Sequence, residues 1–372
     1  MEQERAEAAR AFLARAGWEG ASVAALPGDA STRRYFRVRR NGSGAMLMDQ
    51  PQNAEAAPCP PAATPEERQA LGYNAVARLA GADCARFVAT ARFLRGRGLA
   101  APEIYAEDTA EGFVLLEDLG DDLYADVLGK GEDEEILYVA AIDAIARLHV
   151  EPAPPLLAKD TSLYDYDVTA CLAETDLMTE WFMPLALGRR ASAGEMADHR
   201  ALWREALESV SSSDPVFVHR DYHAQNLFWL PNRSGAARVG MIDFQDALAG
   251  NRSYDIISLL EDARRDVTPE LAAAMKERYF AAMKAQGKDI DRDLWTAQAA
   301  VTAAQRNAKI AGIFARLASR DGKPLYLAHL PRVWRYLESD LAHPALAKLG
   351  AWYDRNIPRE ARSLSSREGA AA

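Results

Sequence analysis

Eight consecutive residues, His219-Arg220-Asp221-Tyr222-His223-Ala224-Gln225-Asn226, and one later carboxylate, Asp243, have the types and spacing that chemistry needs. The apolar run Val216-Phe217-Val218 leads into the octet, and Leu227-Phe228-Trp229-Leu230 leaves it as a strand. Pro231-Asn232-Arg233-Ser234-Gly235 reads as a turn, and Arg238-Val239-Gly240-Met241-Ile242 reads as the returning strand, ended by Asp243. Asn226 precedes the outgoing strand and Asp243 follows the returning one. In an antiparallel hairpin both then fall at the same end, with facing Cβ atoms about 5 Å apart. An amide oxygen and a carboxylate at that separation can share a hard cation such as Mg2+, which takes oxygen ligands. Asp221, on the loop feeding that end, can accept a proton from a hydroxyl while the cation holds phosphate oxygens. Phosphoryl transfer requires this division of labour: a positioned carboxylate for the nucleophile and a metal for the transferred group.

The elements that must hold these groups change in texture along the chain. The first fifteen residues read as a surface helix with Phe12, Leu13 and Ala16 turned inward. Tyr35-Phe36-Arg37-Val38 and Ala45-Met46-Leu47-Met48 flank the turn signal Asn41-Gly42-Ser43-Gly44, which predicts a hairpin. Residues 51–65, rich in Pro and Ala, read as a loop; a helix follows over 84–97, and Gly112 to Leu116 reads as a buried strand. From about residue 120 helical periodicity dominates. Leu137, Ala141, Ala144, Ile145 and Leu148 share a face of a core helix ending at His149, where the helix dipole favours a partly positive imidazole. Residues 168–210 and 255–346 read as mostly helical, with Ile310, Ile313, Phe314 and Leu317 as a core stripe. The strand-rich island 216–243 interrupts them. The pattern is α+β: a small β-rich N-terminal lobe followed by a larger helical lobe.

The bulk numbers fit an enzyme acting on a small molecule. The chain has 372 residues, 49% hydrophobic and 26% charged, enough for a sizeable core. A net charge of −10 argues against a nucleic-acid partner, which wants clustered Lys and Arg. Cys59, Cys84 and Cys171 form no C-x-x-C pair, so reduced thiols in a cytoplasmic protein are expected, without a disulfide scaffold or a zinc site. No apolar run approaches the roughly 20 residues of a membrane helix, and the N-terminus lacks the apolar centre of a signal peptide. No obligatory protein partner is implied.

The octet matches H-R-D-x-x-x-x-N, the catalytic-loop pattern of kinases. With Asp29-Ala30-Ser31-Thr32-Arg33-Arg34-Tyr35-Phe36-Arg37, Leu115-Leu116-Glu117-Asp118-Leu119-Gly120, Ile242-Asp243-Phe244-Gln245-Asp246-Ala247 and the stretch Tyr254 to Val267, it gives a wider match. Over residues 29–320 the chain resembles the aminoglycoside phosphotransferase superfamily, most closely its sugar-kinase branch, the anomeric N-acetylmuramate/N-acetylglucosamine kinases of cell-wall recycling. The resemblance implies a protein-kinase-like two-lobed fold. Its N-terminal nucleotide-binding lobe would span 1–116, its hinge 117–120, its catalytic and substrate lobe 121–358, and a frayed tail 359–372. It implies Asp221 as catalytic base, Asn226 and Asp243 as Mg2+ ligands, and ATP as phosphate donor. Residues 29–36 would form the turn over the ATP phosphates, through backbone N–H groups, the hydroxyls of Ser31 and Thr32, and the charge of Arg33 or Arg34. Adenine would meet backbone groups between Glu117 and Leu119.

One departure matters. Kinases of this fold carry a lysine on the third strand, paired with a helix glutamate. Here that strand reads Ala45-Met46-Leu47-Met48-Asp49-Gln50, and the helix over 84–97 has no glutamate. Loss of both avoids a lone buried charge. Either the arginines of the 29–36 turn substitute for the pair, or ATP is held weakly; the sugar-kinase branch is similar at this strand, so the feature reads as one of the branch. The acceptor is expected to be an amino sugar, with His223, Glu174, Asp176, Glu180, Trp181 and Arg264 as candidate contacts beside Asp165 and Asp167. Carboxylates suit sugar hydroxyls and an aromatic face suits the ring; the plainer alternative is an acidic surface helix with Trp181 and Phe182 in the core. Asp246 and Asp255 read as loop or helix-cap residues. Two rivals remain: a kinase of aminoglycosides or another small alcohol, and a nucleotide-binding pseudokinase serving as an interaction module. The missing lysine favours the latter; the intact Asp221, Asn226 and Asp243 speak against it.

Overall fold

The computed structural model describes residues 2–27, 32–51, 59–210 and 214–364. They form two compact units that interleave along the chain. The first comprises Met1–Leu148, Pro154–Tyr164 and Ala224–Ala247; the second comprises His149–Ala153, Asp165–His223 and Leu248–Ala372.

The first unit is built on a five-stranded antiparallel sheet. Its strands are β1 (Ser22–Ala25), β2 (Arg34–Arg40), β3 (Ser43–Asp49), β4 (Ile104–Asp108) and β5 (Phe113–Leu116), in the order β1-β2-β3-β5-β4. The expected β2–β3 hairpin forms, with Arg40 facing Ser43 and Phe36 facing Leu47. Asn41 (φ 49°) and Gly42 (φ 81°) both take the left-handed conformation that a tight two-residue hairpin turn requires. Alternation along the strands puts Val38, Ala45, Leu47, Phe113 and Leu115 on one face. Phe12 and Leu13 of the helix Glu2–Arg15 cover that face, as the sequence predicts, and Phe12 stacks on Phe113 at 5.6 Å.

The hairpin Leu227–Trp229/Val239–Met241 also belongs to this unit, because its backbone is tied there. Met241 N–H donates to Ala100 O at 2.7 Å and Trp229 N–H donates to Asp122 O at 2.7 Å. The helix Cys84–Gly96 fixes the segment that follows the hairpin. Its Arg86 is buried and donates to Gln245 O and Ala247 O, each at 3.0 Å, while Phe87 stacks on Phe244 at 4.9 Å.

The second unit is mostly helical and packs around the long helix Arg292–Arg320. Its buried face, with Val301, Ala304, Ala308, Ala311 and Phe314, meets Met178, Phe182, Trp203, Trp334 and Trp352. The expected stripe is part of this face, with Ile313 and Leu317 at its margin. Gly312 is required: a Cβ there would stand 2.6 Å from the carbonyl carbon of Leu177. The strand Val216–Val218 pairs with Leu248–Gly250 in this unit and delivers the chain into the octet.

His149 does end a helix, Glu134–His149, but its expected positive character is overturned. Burial pushes its imidazole down to about 3, so the ring is neutral, with Nδ1 3.0 Å from the Tyr279 hydroxyl. Desolvation outweighs the helix dipole, worth about 0.3–1 kcal/mol. Cys59, Cys84 and Cys171 are buried free thiols. No helix among the described residues is long and apolar enough to cross a membrane.

Candidate active site

The loop carrying Asp221 is pinned from beneath by two buried carboxylates of the second unit. Asp255, in the first turn of the helix Tyr254–Leu260, accepts N–H bonds from His219 at 2.7 Å and Arg220 at 2.9 Å. The sequence reading made it a loop or cap residue; its carboxylate instead caps the catalytic loop. Burial pushes that carboxyl up to about 7, against the pull of the two N–H groups. Arg220 has φ 80°, a strained backbone for a residue other than glycine. Its guanidinium pairs with Glu174, which also lies 3.3 Å from Lys309 Nζ and accepts from Gln305 Nε2 at 2.8 Å and from the Tyr166 hydroxyl. Burial alone would raise the Glu174 carboxyl; Lys309 and Arg220 hold it down to about 2. This corrects the expectation that Glu174 meets a sugar: it is fully buried and spent on the loop. Asp221 itself is half-buried.

Asn226 and Asp243 meet as the hairpin arithmetic requires. Ile242 N–H donates to Asn226 O at 3.1 Å, extending the ladder by one pair, and Asn226 Nδ2 lies 3.4 Å from Asp243 Oδ2. Asp243, two residues past the strand, takes φ 62°, a backbone strained like that of Arg220. Its Oδ1 accepts from Gln245 Nε2 at 2.9 Å and pairs with Arg33 at 3.1 Å. The Asp243 side chain is 40% exposed. Among the described residues no cluster of three or more His, Cys, Asp or Glu forms a metal cage. One carboxylate and one amide oxygen suit Mg2+, which keeps waters and completes its shell with nucleotide phosphates.

A cavity of about 340 Å³ opens in the first unit beside these groups. Met46, Leu116, Phe228 and Ile242 give it apolar walls; Arg33, Asn226 and Asp243 line it, as do the residues from Glu117 to Gly120. Gly240 lies against this wall without a side chain to spare: a Cβ would stand 3.0 Å from Phe228 Cβ and 3.1 Å from Leu119 Cδ1. Strand alternation separates the two candidate arginines. Arg33 lines the cavity, whereas Arg34 is turned to the other face and pairs with Asp49 at 2.6 Å. Thr32 is exposed, and Ser31 lies outside the described residues. Leu119 lines the cavity; the Glu117 carboxylate is taken by Arg233 and by Glu103 N–H at 3.3 Å, and the Glu117 N–H donates to Glu103 O at 2.8 Å. Where a lysine was expected, β3 presents Met46 to the cavity.

The acceptor candidates divide. Asp176 is engaged by Arg200, Glu180 is exposed, and Trp181 packs against the helical core, so that helix follows the plainer alternative. Asp167 caps the helix Val168–Leu177 through Ala170 N–H at 2.8 Å, and Asp165 is exposed. His223 is buried in charged company: burial lowers its imidazole, Asp262 and Asp221 raise it, and Arg264 and Arg306 lower it. Asp262 and Arg306 went unrecognised as neighbours of the loop. The only signal was the acidic pair Glu261-Asp262 within the stretch 254–267.

The strand-rich sheet, the pinned H-R-D loop and the Asn226–Asp243 pair define a phosphotransferase of kinase-like fold. Residues 22–290 match the phosphotransferase enzyme family, and the chain belongs to it. It is an ATP-dependent phosphotransferase. An N-acetylmuramate/N-acetylglucosamine kinase of Caulobacter vibrioides is 46% identical over 97% of this chain and 99% of its own length. One of Pseudomonas aeruginosa is 34% identical over 87% of this chain and 85% of its own. Among solved structures, a microcompartment-associated aminopropanol kinase superposes with TM-score 0.58 at 16% identity, covering 90% of this chain and 98% of that one. An ADP-bound aminoglycoside phosphotransferase gives 0.54 at 15% identity, covering 94% and 99%. At such identities these last two show the fold alone.

Proposed function

We propose that the chain transfers the γ-phosphate of ATP to the anomeric hydroxyl of an amino sugar, N-acetylmuramate or N-acetylglucosamine. The near full-length identity with the Caulobacter vibrioides kinase supports this acceptor. Asp221 accepts the proton of the attacking hydroxyl as its oxygen bonds to phosphorus and the bond to the bridging oxygen of ADP breaks. Anchoring of His219 and Arg220 by Asp255 and Glu174 fixes where that carboxylate points. Asn226 and Asp243 would hold Mg2+, whose charge, when bound, offsets that of the phosphates. Arg33, at 3.1 Å from Asp243, supplies beside them the cation that β3 lacks. The backbone from Glu117 to Leu119 meets adenine. Drawing on ATP, the reaction belongs in the cytoplasm.

Purified protein with ATP and Mg2+ should release ADP when either sugar is added, and the product should carry an acid-labile anomeric phosphate. ATP binding without turnover on either sugar would refute the acceptor assignment.

A further inference from the structure

Among the described residues, three carboxylates line the cavity of the first unit, and each is paired with an arginine: Asp243 with Arg33, Glu117 with Arg233, and Asp118 with Arg37. Arg37 does more than neutralise. It stands on β2, two residues from Tyr35, and faces Met46 across the β2–β3 register; Tyr35 and Met46 both line the cavity. From there its Nε lies 2.8 Å from Asp118 Oδ2, and its Nη2 donates to Asp121 Oδ1 at 2.7 Å. Nη1 donates to Asp121 Oδ2 at 3.2 Å, and Nη2 reaches Gly120 O at 3.4 Å. Asp118 Oδ1 in turn accepts the Gly120 N–H at 3.0 Å. One guanidinium therefore holds two carboxylates and a main-chain carbonyl of the segment 118–121, of which residues 118 to 120 line the cavity. The Asp118 pair carries the greater weight: its side chains are 18% and 16% exposed, whereas Asp121 is 80% exposed and screened by water.

This segment needs such a hold. β5 ends at Leu116 and the next helix begins at Tyr124, so residues 118–121 have no ladder or helix bonds to fix them. Leu119, at their centre, lines the cavity, and its main-chain N–H and C=O have no hydrogen-bond partner among the described residues. Adenine offers a donor and an acceptor side by side and can complete both. A recognition segment ordered before the ligand arrives binds more tightly than one that must be ordered by it.

We infer that Arg37 is a positioning residue for the nucleotide: it holds the segment 118–121 in the conformation that receives adenine, and so acts on ATP affinity and not on the phosphoryl-transfer step. The inference rests on the function proposed above for the place of adenine. The planar fork of a guanidinium can span a carboxylate and a neighbouring carbonyl together, which the single ammonium of a lysine cannot reproduce.

The test compares Arg37→Met, Arg37→Lys and Arg39→Met with the unaltered protein. Arg39 is exposed two residues further along β2, on the same face by strand alternation, so its replacement removes an equal charge without removing the clamp. Calorimetry should show the dissociation constant for ATP raised about tenfold in Arg37→Met, the worth of one charge-assisted contact, with an intermediate value in Arg37→Lys and no change in Arg39→Met. Hydrogen exchange without ligand should be faster at residues 118–121 in Arg37→Met alone. At saturating ATP the kcat of Arg37→Met should stay within about twofold, with KM for the sugar unchanged, because the interaction serves binding and not the transition state. Equal ATP affinity in Arg37→Met and the unaltered protein would overturn the inference. So would an equal loss in Arg39→Met, or a fall in kcat with affinity retained. Calorimetry and hydrogen exchange need no acceptor. If they give the expected results and neither sugar is phosphorylated, the acceptor assignment fails and the role of Arg37 stands.

Discussion

Three carboxylates near the catalytic loop have the same chemistry in isolation and different roles in place. Asp221 is half-buried; Asp255 and Glu174 are buried and spent on the loop's backbone and on Arg220. Asp221→Asn should lower turnover by about 10²–10⁴-fold, the usual worth of a general base, while calorimetry shows ATP binding retained. Asp255 gives a pH signature. Its folded value of about 7 exceeds the unfolded carboxyl value near 4, so the native state keeps a proton that the unfolded chain releases. Its contribution to stability therefore falls as pH rises from about 4 to about 7 and is flat above. Urea midpoints across that window should decline more steeply for the unaltered protein than for Asp255→Asn; equal slopes would refute the titration. Glu174 works in the opposite sense: held down to about 2, its contribution is present above the ordinary carboxyl range and is lost as pH falls through about 2. Glu174→Gln leaves Arg220 and Lys309 buried without their counter-charge and should cost about 3–5 kcal/mol in chemical denaturation.

Elements convert short-range pattern into position. The hairpin 227–241 brings Asn226 and Asp243 together because one ladder sets both ends, and that was legible from turn and strand residues alone. Strand alternation likewise decides between Arg33 and Arg34, but only once the sheet shows which face is the cavity. Arg33→Met should raise KM for ATP about tenfold, the worth of one charge-assisted contact of about 1.5 kcal/mol, while Arg34→Met should not. The helix Cys84–Gly96 carries no glutamate; its buried Arg86 instead grips the carbonyls of Gln245 and Ala247, just beyond Asp243. In the second unit Gly312 lets the helix Arg292–Arg320 approach Leu177. Gly312→Ala would drive a methyl against backbone, which cannot move as a side chain can, and should cost about 1–3 kcal/mol in thermal or urea unfolding.

At the scale of the whole molecule, the two compact units cut across chain order. The octet itself divides, His219 to His223 with the second unit and Ala224 to Asn226 with the first. The cavity proposed for the nucleotide is lined by described residues of the first unit, from Leu26 to Asp243. Hydrogen exchange should therefore show ATP protecting amides of residues 33–48, 113–120 and 226–243, while the helix Arg292–Arg320 changes little. Protection concentrated in that helix would contradict the assignment of the cavity.

The sequence by itself determined the α+β order of elements, the β2–β3 hairpin, and the meeting of Asn226 with Asp243. Each depends on neighbours within a turn or a single hairpin, where spacing and side-chain period are enough. It also identified the missing β3 lysine. Only tertiary structure decided that Glu174 serves Arg220, 46 residues away, and that Asp255 holds backbone N–H groups 35 and 36 residues upstream. Those outcomes turn on which charges are buried together, and burial is a property of packing between distant segments that no local pattern encodes.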